Sequence, residues 1–185
     1  MSDDAVQQVL EEGRIRNAYE VSERTDNISY MGARSNIETR FIGVPEEAAV
    51  TERPIYGSIN NYDAANRYGD VNIVLRDEVK ERATISVGDS FDGVNPVPVR
   101  DILNGTANVD DYSRAISDFT WADIKQGKET LQQATRSTYW EAQIHGGVQA
   151  QDITRIEVPR GWLETLRPTA REALERSEID VVIID

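Results

Sequence analysis

The residues best suited to chemistry lie in one short run, Tyr139-Trp140-Glu141-Ala142-Gln143. If this run is a strand, period-two alternation puts Tyr139, Glu141 and Gln143 on one face and Trp140 and Ala142 on the other. An aromatic ring, a carboxylate and an amide then share one wall. Such a carboxylate can stabilise developing positive charge, and the amide can bind a hydroxyl. A Glu between aromatic neighbours is hard to dismiss as an ordinary core residue, because burying a charge without a partner is costly. Thr84 and Ser86, two residues apart in Ala83-Thr84-Ile85-Ser86-Val87, point their hydroxyls to one side of a second strand, although both are also ordinary strand residues. Arg34 offers a planar, permanent charge that can hold anionic oxygens with paired donors. Its plainer reading is a surface side chain paired with Glu38, four residues on. His145, the single histidine, stands beside Gly146-Gly147 at a strand end and reads better as a hydrogen-bonded turn residue than as a base. Arg53-Pro54 reads as structural, with Pro54 starting a strand and Gly57 permitting a close backbone approach. Asp89 and Ser90 after Gly88 suit a turn.

Composition removes competing chemistries. The absence of cysteine excludes disulfides, thiolate nucleophiles and Cys-based zinc sites, and one histidine is too few for a transition-metal cluster, so no metal is expected. A net charge of −13 repels phosphate backbones, which argues against sequence-independent nucleic-acid binding by a basic face while leaving room for a local basic pocket. No Gly-x-x-x-x-Gly-Lys loop, Gly-x-Gly-x-x-Gly turn or Gly-x-Ser-x-Gly elbow occurs. The longest apolar run, Val181-Val182-Ile183-Ile184, falls far short of the roughly 20 residues a membrane helix needs. The acidic start, Met1-Ser2-Asp3-Asp4, lacks the basic and apolar regions of a secretory signal, and a cytoplasmic protein is expected.

The positioning elements follow from periodicity. Apolar residues recur loosely at helical spacing over residues 5–21, with Gly13 as a weak point, which predicts an N-terminal amphipathic helix in a segment 1–28 preceding a domain at 29–185. Residues 26–68, broken by Gly32, Gly43, Pro45, Pro54 and Gly57, predict short strands and loops. Residues 71–75 and 83–87 form the clearest strand pair, joined by a helical turn at 77–82. Helices are expected at 99–103, 110–124 and 162–175, the last interrupted near Pro168, and further strands at 138–144, 153–158 and 180–184. Strands and helices do not alternate regularly, which predicts an α+β domain.

Four ordered segments carry a resemblance: Arg34-Ser35-Asn36-Ile37-Glu38-Thr39, Glu52-Arg53-Pro54-Ile55-Tyr56-Gly57-Ser58-Ile59-Asn60, Ala83-Thr84-Ile85-Ser86-Val87-Gly88-Asp89-Ser90 and Glu141-Ala142-Gln143-Ile144-His145-Gly146. Over roughly Ser29 to Val158 this succession resembles a bacterial and phage family grouped with the ADP-ribosyltransferase superfamily, related also to domains at the end of phage minor head proteins. The resemblance implies a split pair of mostly antiparallel sheets flanked by helices. It implies NAD as substrate, held by Arg34 from one strand, by Thr84 and Ser86 from a second, and by Tyr139 and Gln143 beside Glu141 on a third. Arg34, Ser86 and Glu141 would be the catalytic set, with Tyr139 stacking on nicotinamide. The implied acceptor is a macromolecule, protein or nucleic acid. The setting it suggests is a phage or bacterial toxin, cytoplasmic, virion-associated or delivered to a host cell.

One departure divides the reading. Many superfamily members show Glu-x-Glu or Gln-x-Glu with the second acid catalytic, whereas this strand offers Glu141-x-Gln143. Placing Glu141 at the catalytic position puts Gly146-Gly147 where the strand must turn. Placing Gln143 there implies a catalytically inactive phage head or interaction protein with a phage or host protein partner. A third class, an acidic mimic of nucleic acid, requires acids clustered on one face, and here they are scattered.

Overall fold

The computed structural model describes residues 1–22, 28–58, 69–87, 90, 97–98 and 140–184. Ser2 starts the first helix, α1 (Asp3–Glu12), by accepting a hydrogen bond from the Ala5 amide at 3.4 Å, and two aspartates occupy the first turn where the helix dipole favours them. Gly13 ends it at φ 70°, its N–H donating to the Val9 carbonyl. The helix expected over residues 5–21 is therefore broken, and β1 (Arg14–Ile15) and α2 (Ala18–Ser22) follow the glycine. Val6, Val9 and Leu10, at helical spacing, bury the inner face of α1 in the core.

The next element corrects the sequence reading. Where short strands and loops were expected there is a ten-residue helix, α3 (Ile28–Ile37), running into a π-helical turn at Glu38–Ile42 that Gly43 closes at φ 77°. Among the residues of this helical run whose burial is described, the buried ones are Arg34 and, in the π-helical turn, Glu38, a polar pair that offers no apolar periodicity to read. Among the described residues the one strand of this region is β2 (Ile55–Ser58).

Seven further strands and one further α-helix are described. They are β3 (Asn72–Leu75), β4 (Ala83–Val87), β5 (Val97–Pro98), β6 (Trp140–Ile144), β7 (Val148–Gln149), β8 (Ile153–Pro159), α4 (Pro168–Arg176) and β9 (Asp180–Ile184). A 3-10 turn at Asp77–Arg82 follows β3, as expected, and another at Trp162–Thr165 precedes α4, which Pro168 opens. One sheet has the order β2-β6-β4-β5, all antiparallel; another has the order β3-β8-β9, with β8 and β9 parallel; β1 and β7 make a small third pair. The strands at 71–75 and 83–87 exist but do not pair with each other. The 3-10 turn carries the chain from one sheet to the other, because each strand finds its partner far away in sequence. The helices expected at 99–103 and 110–124 lie outside the described residues.

The result is a mixed α/β fold with mostly antiparallel sheets and flanking helices. One apolar cluster joins Val6 and Leu10 of α1, Ile55 of β2, Ile85 of β4, Trp140, Ala142 and Ile144 of β6, Ile153 and Ile156 of β8, and Ala170 of α4. Among the described residues no helix is long and apolar enough to cross a membrane. The outer strand, β9, exposes Val182, Ile183 and Ile184.

Candidate functional site

Strand β6 is buried along its whole length, which forces both of its faces to find partners. Trp140, Ala142 and Ile144 enter the apolar core. Glu141 and Gln143 therefore face the opposite side, and the register aligns them with their neighbours. Ser58, Glu141 and Ser86 form one row across β2, β6 and β4, and Tyr56, Gln143 and Thr84 form the next. Directly paired residues of antiparallel strands project from the same face, so one side of this sheet is a polar grid. Gly57 lies in the row between them, on the other face. A Cβ there would meet Ile144 Cδ1 at 4.0 Å, an ordinary contact, so the close backbone approach expected at Gly57 is not required.

Gln143, fully buried, organises this grid. Its Oε1 accepts from the Thr84 hydroxyl at 3.0 Å, and its Nε2 donates to Glu141 Oε1 at 2.9 Å and to Ser86 Oγ at 3.1 Å. Thr84 spends its one proton on Gln143, so its 3.3 Å contact with His145 Nε2 makes the histidine nitrogen the donor. Burial holds the His145 pKa below its ordinary value, with the charge of Glu38 opposing that shift. The sequence reading of His145 as a hydrogen-bonded residue at a strand end matches this position.

Arg34 reaches the grid from α3, a helix and not the strand the resemblance implied. It is 5% exposed, which overturns the surface reading. Its Nη1 lies 3.9 Å from Glu141 Oε1 and donates to Ser90 Oγ at 2.9 Å, while its Nη2 donates to the Tyr30 hydroxyl at 3.1 Å. The Ser90 amide donates to Glu141 Oε1 at 3.3 Å. Two hydrogen-bond donors, the Ser90 amide and Gln143 Nε2, and the Arg34 guanidinium at 3.9 Å thus converge on one carboxylate oxygen. The guanidinium carbon also stands 4.2 Å from the centre of the Tyr56 ring. Burial works against the Arg34 charge, but the Tyr30 hydrogen bond, Tyr56 and Glu141 outweigh it and hold its pKa above the usual value.

Beneath Arg34 lies a second acid. Glu38, fully buried, accepts from the Tyr56 hydroxyl at 2.7 Å on Oε1, and from the Tyr19 hydroxyl at 2.8 Å and Arg53 Nη1 at 3.0 Å on Oε2. Burial, then the neighbouring Glu38 charge, pushes both tyrosine pKa values far above their ordinary range. Arg53 is structural, as expected, though through this ion pair as well as through its Pro54 neighbour.

The fold therefore brings together Arg34, Thr84, Ser86, Glu141 and Gln143. Tyr139 and Asp89 lie outside the described residues. Tyr30 and Tyr56 joined the cluster without being singled out, and Glu38 and Ser90 were read only as a surface partner and a turn residue; the signal for Tyr30, Glu38 and Tyr56 was the i, i+4 spacing of Tyr30, Arg34 and Glu38 and the two-residue offset of Tyr56 from Ser58 on one strand face. Among the described residues no group of three or more His, Asp or Glu is placed to hold a metal ion.

No family model matches the chain. It is 26% identical over 161 residues to the Gene 2 protein of Mycobacterium phage D29, an alignment covering 80% of this chain and 58% of that protein. The chain is thus similar to a phage protein and spans 58% of its length.

Proposed function

We propose that the chain is an NAD-dependent ADP-ribosyltransferase whose catalytic carboxylate is Glu141. The observation that carries this reading is the meeting of Arg34, Ser86 and Glu141, from a helix and two strands, in one cluster with a 3.9 Å guanidinium–carboxylate separation. In the proposed reaction the bond between ribose C1′ and the nicotinamide nitrogen breaks, and nicotinamide leaves with the electron pair. The acceptor's nucleophile then forms a new bond to C1′ and gives up its proton. Positive charge builds on the ribose on the way, and a carboxylate beside the 2′-hydroxyl stabilises that state more than the bound substrate. Glu141 takes this role, Arg34 binds the pyrophosphate, and Ser86 and Thr84 brace the carboxylate through Gln143. Tyr139, two residues before Glu141, stacks on nicotinamide in this reading. The sheets β2-β6-β4-β5 and β3-β8-β9 are read as the two halves of an ADP-ribosyltransferase-like split.

The acceptor is a macromolecule, protein or nucleic acid, and the similarity to a phage protein favours a phage or bacterial effector over a metabolic enzyme. Incubation with NAD labelled in its adenosine should release nicotinamide and label an acceptor or the protein itself. Glu141→Gln should lower that rate by about 100-fold or more. Equal rates in the two proteins reject the role given to Glu141.

A second reading rests on its own observation: Glu141 and Gln143 are almost wholly buried, and Gln143 occupies Glu141 Oε1. A carboxylate held this way also suits an inactive head or interaction protein that keeps the cluster for stability. Calorimetric titration with NAD separates the two, since saturable binding lost in Arg34→Ala favours the enzyme and no heat of binding favours the scaffold.

A further inference from the structure

Arg34 and Glu38 are four residues apart on one continuous helical run, so both side chains leave its inward face. Between them stands Tyr56 of β2, which serves both: its ring lies under the guanidinium at 4.2 Å, and its hydroxyl donates to Glu38 Oε1 at 2.7 Å. The strand register fixes Tyr56 beside Gln143, in the row next to Glu141. Tyr56 thus joins the buried acid to the sheet that carries the candidate catalytic residue.

We propose that Glu38, acting through Tyr56, is a positioning residue that sets the place of the Arg34 guanidinium against Glu141. Two physical effects make the link directional. The short hydrogen bond to a carboxylate fixes the ring in its plane, so the guanidinium has one face to rest on. A carboxylate acceptor also pushes electron density into the phenol, which makes the ring face more negative and a better seat for a cation. Tyr19 and Arg53 hold the other carboxylate oxygen, so Glu38 cannot swing toward Arg34 and neutralise it directly. The guanidinium is left to engage Ser90, Tyr30 and Glu141. Glu38 touches no substrate in this scheme, and its effect on chemistry passes entirely through Arg34.

The proposal rests on the Proposed function for its catalytic meaning, but its geometric content is separate, and the test reads both. The full chain is labelled with nitrogen-15, and the Arg34 side-chain Nε–H resonance is identified by its loss in Arg34→Lys. In Tyr56→Phe, and in Glu38→Gln where that variant folds, the Arg34 resonance should shift and its exchange with water should quicken by about tenfold, with near-ultraviolet circular dichroism retained. Tyr56→Phe keeps the ring and leaves Glu38 its Tyr19 and Arg53 contacts, so it carries the test if Glu38→Gln unfolds. An unchanged Arg34 resonance and exchange rate in Tyr56→Phe overturns the proposal. Where the wild type turns over NAD, the same variant should raise KM for NAD more than it lowers kcat, because Arg34 is assigned to binding. An unaltered KM also overturns it. A wild type that neither binds nor cleaves NAD defeats the Proposed function and leaves the resonance measurement to decide the positioning claim.

Discussion

Glu38 has three partners that depend on it, and removing its carboxylate leaves the Arg53 charge buried beside two tyrosine hydroxyls. Breaking one side of a buried ion pair costs about 3–5 kcal/mol, so Glu38→Ala should lower the urea midpoint sharply, whereas an exposed pair such as Arg176–Glu172 should contribute under about 1 kcal/mol. His145 gives the pH dependence. Its pKa in the folded chain lies below the ordinary 6.5, so the unfolded chain takes up protons first as pH falls. The stability it contributes is complete above about pH 6.5 and is lost as pH drops through the folded value. Urea midpoints measured at about pH 7.5 and 5.5 should therefore differ less in His145→Gln than in the wild type, and an identical difference would remove His145 as the cause. At this scale the sequence was informative about Glu141 and Gln143, because alternation on a strand is a local rule. It read Glu38 only as a surface partner of Arg34 and Ser90 only as a turn residue, because their observed partners lie on other elements.

Elements were legible where their signal was local. The β-branched runs gave β3, β4 and β9, and Pro168 marked the start of α4. Helix α3 was hidden because Gly32 weakens it and the buried positions described in it and the turn that follows are the polar Arg34 and Glu38. Pairing was hidden for a different reason: β3 and β4 are neighbours in sequence, yet hydrogen bonding is decided by β8 and β6, more than fifty residues on. Glycines divide the same way. Gly57 is read from sequence as a place of close approach, but nothing crowds a Cβ there, and Gly57→Ala should change the melting free energy by less than about 1 kcal/mol. Gly146, at φ 76°, ends β6 in the left-handed region, and Gly146→Ala should destabilise by about 1–2 kcal/mol. Thermal melts of the two variants side by side check the contrast; equal losses would show that the turn is not what holds β6 in register.

At the scale of the whole molecule, α1, both larger sheets and α4 share one apolar cluster. Removing a central side chain should weaken all of them together: Ile85→Ala is expected to cost about 2–5 kcal/mol. Tryptophan fluorescence of a Trp121→Phe variant, which leaves Trp140 in one sheet and Trp162 beside α1 as the reporters, should lose its native signal at the same urea concentration as far-ultraviolet ellipticity. Two separated transitions would mean that the sheets unfold independently. The outer strand β9 carries a further consequence. Among the described residues it is the outermost strand of its sheet, and it offers Val182, Ile183 and Ile184 to water, a template on which another chain can hydrogen-bond. With a net charge of −13, copies repel one another at low ionic strength, and that barrier shrinks as salt shortens the Debye length or as pH approaches 4.5. Colloidal stability, and with it the shelf life of concentrated preparations, should therefore be governed by salt and acidity acting on this margin, with a lysine in place of Ile183 as the remedy.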